Sequence, residues 1–158
     1  MVLGKKRKLG RPIEEIKAGE KLTLSEKMED KDLLLYLGLT NDANPLYIQH
    51  DYASQTPFKK PIVPAVMLSG FVTSAISKYF PGPGSHVTKQ QLDFHLPVYH
   101  YENVKFFFEV KDSNLDAGRI LVSVEGFNEK ESLALSGTLE VIPPAYSNSD
   151  HGQAFENF

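Results

Sequence analysis

The sequence predicts a single α+β domain in which an antiparallel sheet curves around one long helix. Two observations predict this architecture: a helical period that runs from Pro64 to Phe80, and a switch to a period of two residues after that helix. The chain is 41% hydrophobic over 158 residues, which suits one compact domain with its own core. We place that domain at residues 11–144, after a basic lead-in at residues 1–10 and before a polar tail at residues 145–158.

Composition narrows the classes of function. The chain has no cysteine, so disulfides, thiolate nucleophiles and cysteine metal sites are excluded. The net charge of -3 gives no general attraction to nucleic acid. No apolar stretch approaches the roughly 18 residues that a membrane span needs. We therefore expect a cytoplasmic protein that binds neither nucleic acid nor membrane. The basic lead-in is either a solvated segment or a patch that assists the approach of an anionic partner.

The first predicted elements are a short strand and a helix. Leu22 and Leu24 alternate with polar residues, which predicts a half-buried strand. The sequence Asp30-Lys31-Asp32 then opens a leucine-rich helix. The segment that follows has Asn41-Asp42-Ala43-Asn44-Pro45 at its centre, and these residue types favour turns.

The long helix is predicted from its apolar period. Apolar pairs recur every four residues from Met67 and Leu68 to Tyr79 and Phe80, and Pro64 suits the first helical position. The residues between these pairs are small and uncharged until the last turn. Because a solvent-facing side normally carries charge, we expect this helix to be enclosed.

Four strands are predicted after the helix, because apolar residues then occupy every second position. The predicted inward residues are Leu92, Phe94 and Leu96; Val104, Phe106, Phe108 and Val110; Ile120, Val122 and Val124; and Leu133, Leu135, Leu139 and Val141. The connections at residues 114–118 and 128–130 are short enough to be hairpin turns. The last three strands are therefore predicted to form an antiparallel meander.

Several short motifs lie between residues 39 and 98. They are the segment 39–47, Pro61-Ile62-Val63, Met67-Leu68, Pro81-Gly82-Pro83-Gly84-Ser85 and Phe94-His95-Leu96-Pro97-Val98. Together they resemble the motifs of the MaoC-like, R-specific enoyl-CoA hydratases, and the resemblance spans about Glu14 to Val141. It implies a hot-dog fold, in which a curved sheet wraps a central helix, and a homodimer formed through paired edge strands.

The resemblance also implies catalytic residues. In that family the motif D-x-N-P-x-H supplies an Asp and a His that activate water for addition to an enoyl thioester. Asp42 and Asn44 match the motif, but Tyr47 stands at the histidine position. A phenol with an ordinary pKa of about 10 is a donor and a poor base, so Tyr47 is either a proton donor or a packed aromatic of the pocket.

The residues around Asp42 also have a plainer interpretation. Taken alone, Asp42 before Asn44-Pro45 is typical of an Asx turn, in which the side chain bonds to the backbone two residues later. Asn44 is expected to tie the loop together by side-chain to backbone hydrogen bonds, and it could also orient a water.

Substrate-binding residues are expected at the start of the long helix. The family usually reads His-Gly there, whereas this chain reads Pro64-Ala65. The resemblance implies that the backbone N–H of Ala65, at the positive end of the helix, polarises the thioester carbonyl. Pro64 and Val66 flank it as further substrate-binding residues. No cofactor or metal is expected, because the histidines lack the spacing of metal ligands.

Three functions remain open at this point. The first is a hydro-lyase that acts on enoyl or 3-hydroxyacyl thioesters of CoA or acyl carrier protein in fatty acid metabolism. The second is a protein that binds such thioesters without turnover. The third is a thioesterase that uses one carboxylate and the helix N-terminus. We rank the hydro-lyase first, because the sequence around Asp42 otherwise matches the motif.

Overall fold

The computed structural model describes residues 9–146, so nearly all of the predicted lead-in and tail lies outside the described residues. These residues form five strands and four helices, with a short 3-10 turn at Ile13–Glu15. The strands are β1 (Lys21–Lys27), β2 (His86–Phe94), β3 (Asn103–Asn114), β4 (Arg119–Phe127) and β5 (Leu133–Ile142). The helices are α1 (Asp30–Thr40), α2 (Pro45–Ile48), α3 (His50–Ser54) and α4 (Ala65–Tyr79).

All five strands form one antiparallel sheet in the order β1-β3-β4-β5-β2. Strands β3, β4 and β5 form the predicted meander, with hairpin connections between neighbours. Strands β1 and β2 lie at the two edges of the sheet as described, and each pairs with one neighbouring strand. An edge strand presents backbone N–H and C=O groups that can pair with another chain.

One face of the sheet packs against α4. The predicted inward side chains of β3 and β4, and Leu135, Leu139 and Val141 of β5, are almost completely buried. Leu133, at the start of β5, is only half-buried, and Ala134 beside it is buried instead. The side of α4 that meets the sheet consists of Met67, Leu68, Val72, Ala75 and Ile76. Complete burial of one such apolar side chain contributes about 1.5–3 kcal/mol, so this core holds the helix on the sheet. The predicted α+β architecture, the hot-dog fold, is confirmed.

The opposite side of α4 differs from the prediction. Pro64 is the N-cap of the helix rather than its first residue. The prediction that the helix is enclosed is wrong for the single chain, because Val66 is 60% exposed and a Cβ added at Gly70 would have open space around it. The small, uncharged side of the helix suggested burial, but the chain's own sheet packs only against the other side.

Two of the predicted inward residues are also exposed. Strand β2 ends at Phe94, so Leu96 lies beyond it, and each of these two side chains is 42% exposed. Because β2 is an edge strand, its end has a sheet neighbour on one side only. The alternation therefore predicts the strand correctly but overestimates the burial at its end.

Helix α1 exposes apolar side chains. Leu34, Leu35 and Leu39 are 66%, 72% and 84% exposed. Within residues 9–146, none of the helices combines the length and the apolar character that crossing a membrane requires. Exposed apolar residues that lie close together are typical of a surface that a partner covers.

Candidate active site

The candidate site begins where α1 ends. Asn41, the C-cap, has a φ of 54°, and its N–H donates to the carbonyl of Leu37. A left-handed residue at this position turns the chain away from the helix axis, and asparagine tolerates that conformation. The turn brings Asp42 close to Tyr36, which lies six residues earlier in α1.

Two donors hold the Asp42 carboxylate. The hydroxyl of Tyr36 donates to Oδ2 at 2.5 Å, and the N–H of Asn44 donates to Oδ1 at 3.2 Å. The second contact is the predicted Asx turn. A carboxylate oxygen has two lone pairs, so each oxygen retains an acceptor position after these two bonds. The carboxylate is thus oriented and can still accept a proton.

Tyr36 is itself restrained by its surroundings. Its ring meets the ring of Tyr47 edge-on, with centroids 6.4 Å apart, and both side chains pack against the core. The Asp42 carboxylate, as the acceptor of its hydrogen bond, raises the pKa of the Tyr36 hydroxyl. Because that pKa lies above its ordinary value of about 10, the hydroxyl stays a donor at neutral pH.

The pairing of Tyr36 with Asp42 was not among the predictions from the sequence. Asn41 is the sequence feature that could have predicted this contact, because an asparagine directly after a helix favours a left-handed cap. Such a cap returns the next side chain toward the last turns of the helix, where Tyr36 lies.

Asn44 and Tyr47 belong to the short helix α2. Asn44 is its N-cap, and its side-chain Oδ1 accepts the N–H of Leu46 at 3.0 Å. The prediction that Asn44 ties the loop by side-chain to backbone bonding is therefore confirmed. Tyr47 is half-buried, and its ring is the edge-on neighbour of Tyr36.

Backbone hydrogen bonds connect α2 to the segment that leads into α4. The N–H of Ile62 donates to the carbonyl of Leu46 at 3.0 Å, and the N–H of Val63 donates to the carbonyl of Val98 at 2.7 Å. Helix α4 begins two residues after Val63. The loop that carries Asp42 is thus tied to the approach to the helix N-terminus.

The N-terminus of α4 has free backbone donors. Among the described residues no side chain caps it, and the residues at its start, Pro64, Ala65 and Val66, supply only backbone and apolar groups. The N–H of Met67 donates to the carbonyl of Pro64 at 3.0 Å, whereas the N–H groups of Ala65 and Val66 precede the first helical hydrogen bond, and the helix dipole is positive there. This end of α4 can therefore stabilise negative charge on a bound carbonyl oxygen.

His100 lies close to Tyr47 of α2 and to Ile62 in the approach to α4. Neither of its ring nitrogens makes a hydrogen bond within the described part of the chain. Burial lowers the pKa of His100, while the charge of Asp30 and weak polar contacts with the backbone of Tyr47 and Ile62, which fall short of hydrogen-bond geometry, act in the opposite direction. Across residues 9–146, no cluster of three or more His, Asp or Glu residues could hold a metal ion.

These features define a hot-dog domain with a carboxylate-bearing loop tied to the approach to its central helix. Residues 10–130 match the sequence profile described as MaoC like domain. The chain belongs to the MaoC-like domain family.

Individual relatives agree with this assignment. The chain is 35% identical over 85 residues to the (R)-specific enoyl-CoA hydratase of Rhodospirillum rubrum. The aligned residues cover 54% of this chain and 59% of that protein. The chain is also 28% identical over 129 residues to the (R)-specific enoyl-CoA hydratase of Aeromonas caviae. Here the aligned residues cover 82% of this chain and 96% of that protein.

Solved structures show the same fold. The unliganded R-hydratase PhaJ1 of Pseudomonas aeruginosa superimposes with a TM-score of 0.80 at 27% sequence identity, over 87% of this chain and 88% of that one. The (R)-hydratase of A. caviae superimposes with a TM-score of 0.79 over 82% of this chain and 98% of that one. The similarity therefore extends over most of the described domain.

Proposed function

We propose that the protein adds water reversibly to trans-2-enoyl thioesters of CoA or acyl carrier protein, giving (R)-3-hydroxyacyl thioesters in fatty acid metabolism. The observation that carries the proposal is the Asp42 carboxylate, held by two donors in a loop that is tied to the approach to α4. The (R)-specific enoyl-CoA hydratases among the relatives support the same reaction.

In this reaction Asp42 acts first as base and then as acid. The carboxylate takes a proton from water while the water oxygen bonds to C3 of the enoyl group. The electron pair of the double bond moves toward the thioester carbonyl oxygen, where the N–H of Ala65 stabilises the negative charge. Asp42 then returns its proton to C2, so the two hydrogens and the oxygen of water are all accounted for.

The neighbouring residues take supporting roles in the proposal. The side-chain Oδ1 of Asn44 accepts the N–H of Leu46, and a side-chain amide neither gains nor loses a proton near neutral pH. The role of Asn44 is therefore to shape the loop. Tyr47 lines the site as the edge-on neighbour of Tyr36. Pro64 and Val66 contact the acyl chain beside the carbonyl-binding N–H.

A homodimer is part of the proposal. An acyl chain needs an apolar enclosure, whereas Val66 and three leucines of α1 are largely exposed in the single chain. A second copy that pairs along the edge of β2 would cover the exposed side of α4. Sedimentation analysis should give twice the chain mass of 17.7 kDa, and a monomer at micromolar concentration would contradict this part of the proposal. A cytoplasmic location likewise stays a prediction.

The reaction is tested with purified protein and crotonyl-CoA. We expect loss of the enoyl absorbance, formation of the (R)-3-hydroxy product and no release of free thiol. The Asp42→Ala variant should lose this activity. The Asp116→Ala variant, which changes an exposed carboxylate in the turn between β3 and β4, should keep it.

Two other outcomes identify the alternative functions. Release of free thiol from acyl-CoA would identify a thioesterase. Thermal stabilisation by acyl-CoA without turnover, across acyl lengths and both carriers, would identify a binding protein. The binding protein is favoured by two departures from the family motifs: Tyr47, whose phenol is a poor base, stands at the histidine position, and Pro64-Ala65 stands where the family usually reads His-Gly.

A further inference from the structure

We propose that Tyr36 is a positioning residue, whose hydroxyl fixes the orientation of the Asp42 carboxylate during the reaction. This inference rests on the proposed function and adds a residue to it. Tyr36 lies in the second half of α1, outside the loop that matches the family motif, and its hydroxyl is the side-chain donor to Asp42.

The geometry of the two donors supports this role. The Tyr36 hydroxyl and the Asn44 N–H bind different oxygens of the same carboxylate, at 2.5 Å and 3.2 Å. A single donor would leave the carboxylate free to rotate about its Cβ–Cγ bond. Donors on both oxygens restrict that rotation, and the remaining lone pairs are then directed at fixed positions.

The two donors differ in how firmly they are held. The Asn44 N–H belongs to the same loop as Asp42 and moves with it. Tyr36 belongs to an eleven-residue helix, and its ring is packed against the core and against Tyr47. Sites supported by helices keep their geometry better than sites on loops. The Tyr36 hydroxyl is therefore the contact that links the carboxylate to the rigid part of the domain.

Removing this hydroxyl should affect turnover more than binding. A misplacement of about 1 Å in a catalytic group can lower a rate by about a hundredfold. In Tyr36→Phe, which keeps the ring, we expect kcat for crotonyl-CoA to fall about tenfold to a hundredfold. KM should change less than about twofold, because the hydroxyl holds a catalytic group and is not assigned any contact with the substrate.

Matched variants make the test specific. Tyr79→Phe removes a hydroxyl from an exposed tyrosine at the far end of α4 and should leave kcat unchanged. Tyr36→Phe should have no further effect in an Asp42→Asn background, because both changes act on the same pair. Thermal unfolding of each variant shows whether a fall in kcat reflects loss of folded protein.

A second measurement follows the contact without using activity. With tyrosines labelled at Cζ, the NMR titration of Tyr36 should move to lower pH in Asp42→Asn, because the carboxylate raises the pKa of this hydroxyl. No movement would show that the hydrogen bond does not form in solution, and the inference would fail.

The kinetic outcomes separate this inference from the proposed function. An active wild-type protein whose kcat is unchanged or increased in Tyr36→Phe overturns the positioning role and leaves the proposed function standing. A wild-type protein that turns over no enoyl thioester overturns both. A fall in kcat at constant KM, absent in the Asp42→Asn background, supports the role.

Discussion

In the β3–β5 meander the inward side chains other than Leu133 are 2% exposed or less, whereas between residues 41 and 64 most side chains are half-buried or exposed. The meander is held by apolar packing and by regular backbone pairing. The segment 41–64 depends instead on single hydrogen bonds in which side chains of Asp42, Asn44 and Thr56 accept nearby backbone N–H groups.

This difference separates stability from chemistry. Apolar burial in the meander supplies most of the free energy of folding, because it scales with the area removed from water. The loop contributes little burial but presents a carboxylate and an accessible helix start, as functional loops on rigid scaffolds do. Substitutions in the two regions should therefore change different measured quantities.

The largest stability effect is expected in the meander. Replacing Phe108, which is 2% exposed, by alanine should lower the free energy of unfolding by about 3–5 kcal/mol, because a cavity remains in the core. The neighbouring Phe107 is 39% exposed and packs edge-on against Phe127, so Phe107→Ala should cost about 1 kcal/mol. Urea unfolding measures the free energy of unfolding of both variants. Equal decreases in the two variants would contradict the assignment of inward and outward faces.

A smaller effect is expected where two strands approach closely. A Cβ added at Gly137 in β5 would lie 1.9 Å from the backbone oxygen of Gln91 in β2. Gly137→Ala should therefore lower the free energy of unfolding by about 1–3 kcal/mol. Gly38→Ala has open space in α1 and should raise it by about 0.5–1 kcal/mol. A Gly137→Ala protein that is as stable as the wild type would contradict the described pairing of β2 with β5.

A similarly small effect, of about 1 kcal/mol, concerns His100 in the connection between β2 and β3. Its ring nitrogens are buried without hydrogen bonds, so His100→Leu should raise the free energy of unfolding at neutral pH by about 1 kcal/mol. Burial lowers the pKa of His100, so the unfolded chain takes up a proton at higher pH than the folded one. Stability should consequently fall as the pH decreases below about 6.5, the ordinary value for histidine.

The His100→Leu variant should lose this part of the pH dependence. His86→Gln changes an exposed histidine at the start of β2 and should keep it. Urea unfolding at several pH values between neutral and mildly acidic compares the variants with the wild type. A pH dependence that is identical in wild type and His100→Leu would refute this assignment.

The sequence predicts the meander well for a local reason. Side chains alternate between two faces in a strand, so the positions of Val104, Phe106 and Phe108 already indicate which face is inward. The helical period likewise predicts α4 to within one residue at each end. These patterns depend on neighbours along the chain.

Contacts between elements were harder to predict. The bond between Tyr36 and Asp42 depends on the left-handed turn at Asn41, and no periodic pattern encodes it. The burial of His100 depends on how the connection after β2 packs against the approach to α4. The exposure of Val66 depends on whether a second chain covers it, which composition alone does not report.

The central claim is that the Asp42 carboxylate transfers the proton, whereas binding of the acyl thioester does not depend on this carboxylate. The most direct measurement compares kcat for crotonyl-CoA and the affinity for unreactive butyryl-CoA in wild type, Asp42→Asn and Asp116→Asn. We expect Asp42→Asn to lower kcat by about 10²–10⁴-fold, the usual contribution of acid-base catalysis, with affinity unchanged and Asp116→Asn like wild type. Retention of wild-type kcat in Asp42→Asn would contradict the claim.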